Sequence, residues 1–241
     1  MAEIRRILKR DAPLTRPQLA ERLRRKGIRT DGQAIAHLVW LAAAEGVCCY
    51  GPEIDGEPAF VLLDEWVGAR RPLDRDAALA ELAVRYLRSH GPATVADLAG
   101  WSGIKASDAN HAWQAIENRL KEVPVGRNSL WTIKSQRGEA RPGLVRLLPA
   151  FDEYVLGWKD RGLVVPSQHW KKINAGGGWL HPMILSDGRA VGTWATERGD
   201  DGLDVRTRPF SALGLAMRKG VQAEAKDIGL FLGTQANARF D

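Results

Sequence analysis

Apolar residues fall at helical spacing first at Ile4, Ile7 and Leu8, then at Leu19 and Leu23, then at Ile35, Leu38, Val39 and Ala42. Steps of three and four place each set on one face of a helix. The residues between them mark the boundaries. Thr15, Arg16, Pro17 and Gln18 make a capping-box pattern, with Pro17 in a first turn where its missing N–H is not needed. Gly27 stops that helix. Thr30, Asp31, Gly32 and Gln33 repeat the capping-box pattern before the third helix, and Gly46 ends it. Residues 47–50 and 59–63 then read as strands, joined by a loop with Asp55 and Gly56 near its tip. Helices followed by a two-stranded wing are the order of a winged helix-turn-helix, expected here over residues 1–67.

The same order returns. Residues 76–89 have helical periodicity through Leu79, Leu82, Ala83 and Leu87. Pro13, Thr15, Leu19 and Ala20 recur at one offset as Pro92, Thr94, Leu98 and Ala99. Gly103 and Ile104 form a shorter connection. Ser107 is read as the cap of a helix bearing Trp113, Ile116 and Leu120, and a short wing ends in residues 129–133. A second winged unit is therefore expected over 74–135, after a compact linker at 68–75 (GARRPLDR).

The run SQRGEARPG marks a further boundary, and residues 142–241 change character. Residues 144–148 read as a strand entering LPAFDEYVLGWKDR, which is also read around a strand. Residues 180–185 and 190–196 flank Asp187 and Gly188, the strongest short hairpin signal in the chain. Residues 203–207 follow a GDDG turn and add a strand. Leu213, Met217, Val221, Ala225, Ile228 and Leu232 form the stripe of one amphipathic helix, stopped by Gly233. The fold class expected is α+β: two tandem winged helix-turn-helix units followed by a small β-barrel-like α+β domain.

Composition narrows the setting. A chain of 241 residues accommodates two or three small domains. No apolar run approaches the roughly 18 residues of a membrane span. The N-terminal run lacks the apolar core of a secretory signal, so a cytoplasmic protein is expected, without membrane partners. Cys48 and Cys49 are adjacent, with no spacing that completes a metal site, and are read as reduced residues in a strand. His37 and His111 occupy equivalent places in two helices but lack neighbouring ligands. No metal and no cofactor are expected.

Charge is distributed unevenly. The net charge is only +6, yet residues 1–30 hold ten basic residues against three acids. That density suits a phosphate-facing surface; the bland alternative is a pair of Arg-rich solvated helices. The candidate DNA contacts are Arg16, Arg22, Arg24, Arg25, Lys26 and Arg29, with Gln33 and His37 on the third helix beside Trp40 and Ala44. In the second unit they are Lys105, Asn110 and Gln114, the last two in a polar stripe that continues to Asn118. Amide side chains suit base edges and basic ones suit phosphates. Lys159 and Arg161 complete the set. Asp152, Glu153 and Asp160 lie near those two cations, as acid-base candidates or as members of a surface ion-pair cluster. Gly176, Gly177 and Gly178 lack the Lys-Ser/Thr ending of a phosphate loop and are read as a flexible loop. Trp40, Trp101, Trp113 and Trp131 are expected in the helical cores. Trp170 and Trp179 flank the glycines, where core packing competes with stacking on a base.

The runs LTRPQLAERLRRKGIRTDGQAIAHL, EGVCCYGP, FVLLDEWV, LLPAFDEYVLGWKDR and DGRAVGTW resemble the winged-helix DNA glycosylases of the AlkZ/YcaQ type. The resemblance covers nearly the whole chain. It implies tandem winged helices on a β-barrel-like C-terminal domain, and a family in which some members excise alkylated bases and unhook interstrand crosslinks. The family's catalytic Gln-x-Gln or Gln-x-Asp lies in an N-terminal winged-helix region. Neither pattern occurs around Gln18, Gln33, Gln114, Gln136, Gln168, Gln222 or Gln235. The chain thus reads as the family without its catalytic front end, and the catalytic residues stay unassigned. The expectation is binding of double-stranded DNA with low sequence specificity, by a monomer and without excision. Alternatives are an intact glycosylase whose N-terminal part is missing from this chain, a winged-helix transcriptional regulator, which needs a symmetric operator and a dimerisation element, and a protein-binding scaffold.

Overall fold

The computed structural model describes residues 1–68, 73–126, 128–138, 142–199 and 202–240. Residues 69–72 of the linker expected at 68–75 lie outside those residues, as do 139–141 of the second boundary and Asp200 and Asp201 of the GDDG turn. The chain divides into two compact units, Met1–Pro72 and Leu73–Asp241. Its secondary structure is mixed α and β.

The first unit runs α1 (Ala2–Asp11), β1 (Leu14–Thr15), α2 (Arg16–Arg24), α3 (Ala34–Ala44), β2 (Cys48–Tyr50), β3 (Ala59–Leu62) and α4 (Leu63–Val67). Thr15 opens α2 in a capping box: the Gln18 Oε1 accepts from the Thr15 N–H at 3.0 Å. The strand pair turns at Asp55 (φ 52°) and Gly56 (φ 78°), the two left-handed positions of a type I′ turn, with Ile54 bridged to Glu57. β1 adds a third strand, order β1-β3-β2, which the sequence pattern did not announce. Leu8, Leu19 and Leu23 are fully buried in the common core, each contributing about 2 kcal/mol.

Two expectations fail here. Thr30 does not cap α3: its side chain is buried, and its hydroxyl has no hydrogen-bond partner. Gly32 takes a left-handed turn (φ 56°) between them, so Gln33 sits at the cap position instead. Trp40 is not in the core but 70% exposed. Ile35, Val39 and Ala42 already fill the inward face, and Trp40 lies one residue, about 100° of helix, away from Val39.

The second unit begins with the same order. Asp74 caps α5 (Arg75–His90), accepting from the Ala77 N–H at 2.9 Å. Ala93 bridges Trp131, where β1 pairs with β3 in the first unit. Thr94 and Asp97 form the capping box of α6 (Val95–Ser102), which Gly103 ends at φ 72°. α7 (Ala106–Ala115) follows, then a 3-10 turn (Glu117–Arg119) and the antiparallel pair β4 (Leu120–Val125) and β5 (Asn128–Ile133). Lys105, not Ser107, occupies the cap of α7. Ile116 and Leu120 are buried beyond its end, not on it. Trp113 and Trp131 pack against this core as expected, whereas Trp101 is 38% exposed.

The rest of the unit comprises β6 (Val145–Leu148), α8 (Glu153–Leu156), a 3-10 turn (Ser167–His169), α9 (Trp170–Ile173), β7 (Asn174–Gly176), β8 (Trp179–Leu180), β9 (Met183–Ser186), β10 (Arg189–Gly199), β11 (Gly202–Pro209), α10 (Leu215–Leu232) and β12 (Ala236–Phe240). Five strands form one sheet in the order β12-β11-β10-β9-β6. The barrel-like closure expected from the sequence is absent among the described residues. The sheet is open, and α10 buries Val221 and Ala225 in the core it shares with Val145, Ile184 and Val205. α10 is also the crossover that makes β12 parallel to β11, a pairing that needs such a connection.

Asp187 (φ 49°) and Gly188 (φ 79°) close the β9–β10 hairpin as a type I′ turn. The turn is held from outside: Asp187 exchanges hydrogen bonds with the Leu144 backbone at 2.8 and 3.0 Å, and the Tyr154 hydroxyl donates to the Gly188 carbonyl at 3.0 Å. The FDEYVLGWKDR run holds no strand: it is irregular apart from the single helical turn of α8. Asp152 caps α8 by accepting from the Tyr154 N–H at 2.8 Å. Gly176, Gly177 and Gly178 all have positive φ and turn the chain between β7 and β8.

This C-terminal part interlocks with the preceding helices. The Tyr86 hydroxyl donates to the Gly157 carbonyl at 2.7 Å, the Trp158 indole to the Pro92 carbonyl at 3.2 Å, and the Lys159 N–H to Asp97 at 2.8 Å. Tyr86, His90, Trp101 and Trp158 form a chain of ring contacts with centroids 5.2 to 6.1 Å apart.

Candidate nucleic-acid interface

The basic N-terminal segment folds into an exposed cluster with internal acids. Arg10, Arg22, Arg25 and Lys26 rim a hollow of about 470 Å³ together with Asp11 and Glu21. Arg10 and Arg22 each bring Nε to within 2.8 Å of the Asp11 carboxylate. Hydrogen bonds from these two guanidiniums hold the Asp11 pKa down at about 2. Glu21 pairs with Arg24 and, at 3.1 Å, with Arg25. Three of the candidate cations therefore already have carboxylate partners. Arg16, Lys26 and Arg29 are exposed and make no ion pair among the described residues. Solvent-exposed pairs are weak, so an incoming phosphate competes for the paired arginines as well. Gln33 and His37 are exposed at the start of α3.

In the second unit, Lys105 at the cap of α7 and Gln114 on that helix are exposed. Asn110 is exposed too, but its amide nitrogen donates back to the Ala106 carbonyl at 2.8 Å. Asn118 lies in the 3-10 turn rather than on the helix. His111 meets Asp76 at 3.0 Å. No cluster of three potential metal ligands occurs among the described residues. Cys48 is a buried free thiol, its pKa raised by burial first and by Cys49 second.

Lys159 and Asp160 line a cleft of about 760 Å³ beside Thr94, Asp97 and the β4–β5 pair. The buried Asp97 carboxylate accepts from the Thr94 N–H (2.8 Å), the Thr94 hydroxyl (2.6 Å) and the Lys159 N–H (2.8 Å). The three acid-base candidates have local structural duties. Asp152 caps α8, Glu153 accepts from the Trp101 indole at 3.1 Å, and Asp160 accepts from the Gly162 N–H at 2.9 Å. Arg161 donates to the Val155 carbonyl at 3.1 Å and lies 5.6 Å from the Trp170 ring. Trp179 is 63% exposed and meets Phe151 edge to face.

Sequence reasoning passed over a further group. Lys172, His181, Arg206 and Arg208 share a groove on the five-stranded sheet. Arg206 and Arg208 flank the buried Thr207, and alternation along a strand puts them on one face. That period-two signal was present in the run Val205 to Arg208. The approach of Lys172 and His181 comes from tertiary folding and had no local signature.

The comparisons agree with one another. The model of the family described as DNA glycosylase AlkZ-like matches residues 1–231. A curated protein of Streptomyces sahachiroi, an interstrand DNA cross-link repair glycosylase, is 28% identical over 175 residues, covering 68% of this chain and 46% of that protein. This chain therefore spans about half the length of that relative. The solved structure of the Streptomyces sahachiroi DNA glycosylase AlkZ is similar over the whole chain and over 68% of its own, at 25% identity and a TM-score of 0.78. With the family match running from α1 into α10, the chain belongs to the AlkZ-like DNA glycosylase family.

Proposed function

We propose that this chain binds duplex DNA with little sequence preference and serves DNA repair in the cytoplasm as a monomer. On this reading residues 1–67 and 74–135 are winged helix-turn-helix units and 142–241 a third, sheet-based domain. The supporting observation is the two-faced character of α2, α3 and the connection between them in a member of a DNA glycosylase family. Leu19, Leu23, Ile35 and Val39 face the core, while Arg16, Lys26, Arg29, Gln33 and His37 face water. Arg22, Arg24 and Arg25 add charge that a phosphate reaches by displacing a carboxylate. Lys105, Asn110, Gln114, Lys159 and Arg161 are the corresponding contacts of the second unit.

A fluorescence-anisotropy titration against random duplex tests this. The log of the binding constant should fall linearly with log salt, by roughly 0.9 per phosphate contact. A flat response removes the reading. Replacing Arg16, Lys26 and Arg29 together by alanine should shallow that slope more than replacing Arg22, Arg24 and Arg25.

Base excision needs groups that position water and stabilise a cationic sugar. With neither Gln-x-Gln nor Gln-x-Asp in its sequence, the chain is expected to bind alkylated duplex without releasing the base under single-turnover conditions. Release abolished by Asp160→Asn would instead put catalysis beside the Lys159 cleft.

A further inference from the structure

The groove on the five-stranded sheet has the chemistry of an anion site. It measures about 410 Å³ and is lined by Lys172, His181, Arg206 and Arg208, with Trp194 and Phe210 among its apolar residues. Three independent features build it. The β10–β11 register sets Thr193 opposite Arg208 and Ala195 opposite Arg206, so small residues leave the guanidiniums uncovered on that face. The chain returning from β7–β8 hydrogen-bonds its His181 N–H to the Ile173 carbonyl at 2.9 Å, which fixes His181 beside the end of α9. Phe210 stacks on His169 with centroids 4.2 Å apart, and the Lys172 ammonium lies 5.4 Å from the same ring, so the lysine is held over the groove.

The charge there is unbalanced. Arg206 pairs with Glu197 across the β10–β11 ladder. Lys172 and Arg208 have no ion pair among the described residues, and both are exposed. Two unneutralised cations around one concavity, with the imidazole of His181 as a further donor, suit a tetrahedral oxyanion carrying one or two charges. Lys172, Arg206 and Arg208 are exposed at the groove, so an anion that belongs to a chain can reach them.

We propose that this groove is a second phosphate-binding site, in which Lys172 and Arg208 hold a backbone phosphodiester of bound DNA apart from the contacts made by the helical segments. The proposal rests on the DNA-binding reading above. It makes the sheet a contact surface in its own right, not only a support for helices.

The test uses the full chain with duplex DNA. Lys172→Ala with Arg208→Ala should weaken binding at least about tenfold near 0.1 M salt and shallow the log–log slope by roughly 0.9, one phosphate contact's worth. Lys172→Arg with Arg208→Lys keeps both charges and should retain most of the affinity. Lys226→Ala, an exposed lysine on α10, should change nothing. No binding by the parent overturns the DNA-binding reading and this site together. Binding by the parent with an unaltered alanine pair overturns this site alone, as does a charge-conserving pair as weak as the alanine pair. Free inorganic phosphate is the other source of the same chemistry. If millimolar phosphate shifts the Trp194 indole and Arg208 guanidinium NMR signals while duplex leaves them in place, the phosphodiester assignment is wrong.

Discussion

Two stretches of this chain share one plan and meet different surroundings. At the offset relating Pro13 to Pro92, Ile7 corresponds to Tyr86, Asp11 to His90, Gln18 to Asp97 and Arg22 to Trp101. In the first stretch Asp11 and Arg22 form a half-buried ion pair at 2.8 Å. In the second, His90 and Trp101 touch ring to ring at 5.3 Å, beside Gly157 and Glu153 of the C-terminal part. The cap changes with them. Gln18 serves only its own helix, whereas Asp97 caps α6 and also accepts the Lys159 N–H. Backbone plan is therefore indifferent to whether this face holds an ion pair within its own unit or is absorbed into a larger core. A few side chains on one face of the first two helices decide it.

The sharpest way to break this comparison is to open the absorbed interface. A Cβ at position 157 would overlap the His90 ring. Gly157→Ala should cost about 3 kcal/mol, as overpacking does where neither partner can yield. Hydrogen exchange checks it: protection should fall in α5 and the sheet and persist in the first unit. Unchanged protection in α5 would mean that His90 is loosely held.

Exchanging the matched residues comes next. Trp101→Arg should destabilise the second unit by about 2 kcal/mol, since ring contacts and an indole hydrogen bond are lost at a half-covered site. Arg22→Trp should shift the first unit by no more than about 0.5 kcal/mol. Equal effects in denaturant titrations would abolish the distinction between the two faces.

Tyr86→Phe should cost about 1 to 2 kcal/mol, because the buried Gly157 carbonyl loses its donor. It also carries a pH signature. Burial, and secondarily Asp97, raises the Tyr86 pKa above its ordinary value near 10. The folded state keeps a proton that the unfolded chain releases. Stability is thus complete below about pH 10 and declines as pH rises towards the folded pKa. Phenylalanine should flatten that alkaline decline; an unchanged decline would assign it elsewhere.

The smallest effect belongs to the matching site in the first unit. Asp11 titrates at about 2 when folded and at 3.8 ordinarily. Its stabilisation is present above about pH 4 and lost as pH falls towards 2. Asp11→Asn should remove that acid limb for the first unit, by lowering its neutral-pH stability slightly, to the level the parent reaches in acid. An acid limb identical to the parent's would show that the two arginines do not act on Asp11.

Much of this architecture was legible because its signals are local. The box at Thr15, the stops at Gly27, Gly46 and Gly233, and the turn at Asp187 and Gly188 need only neighbouring residues. What escaped depends on distant partners: β1 and β12 are short strands recruited by β3 and β11, and α8 exists because Asp152 turns back onto Tyr154. Thr30 misled because Gly32 reverses the chain inside an apparently intact pattern. For the candidate site, basic clustering was visible, whereas the spacing of Glu21 to Arg24 and Arg25, which favours their pairing, was passed over. The pairing of Asp11 with Arg22 was not, since it joins two helices. Nor was the sheet groove, assembled from α9, β10 and β11.

Asp97 also bears on how such a protein can be recombined over evolutionary time. A crossover after the first unit would transplant a cassette that brings its own core and leaves no unmet donor from the Asp11–Arg22 pair. A crossover between β5 and β6 would strand the Tyr86 hydroxyl, the Trp158 indole and one lone pair of Asp97 on opposite sides of the cut. The second helical stretch is thus heritable only together with its sheet. Shuffling within this architecture should have multiplied or dropped the first kind of unit far more readily than the second.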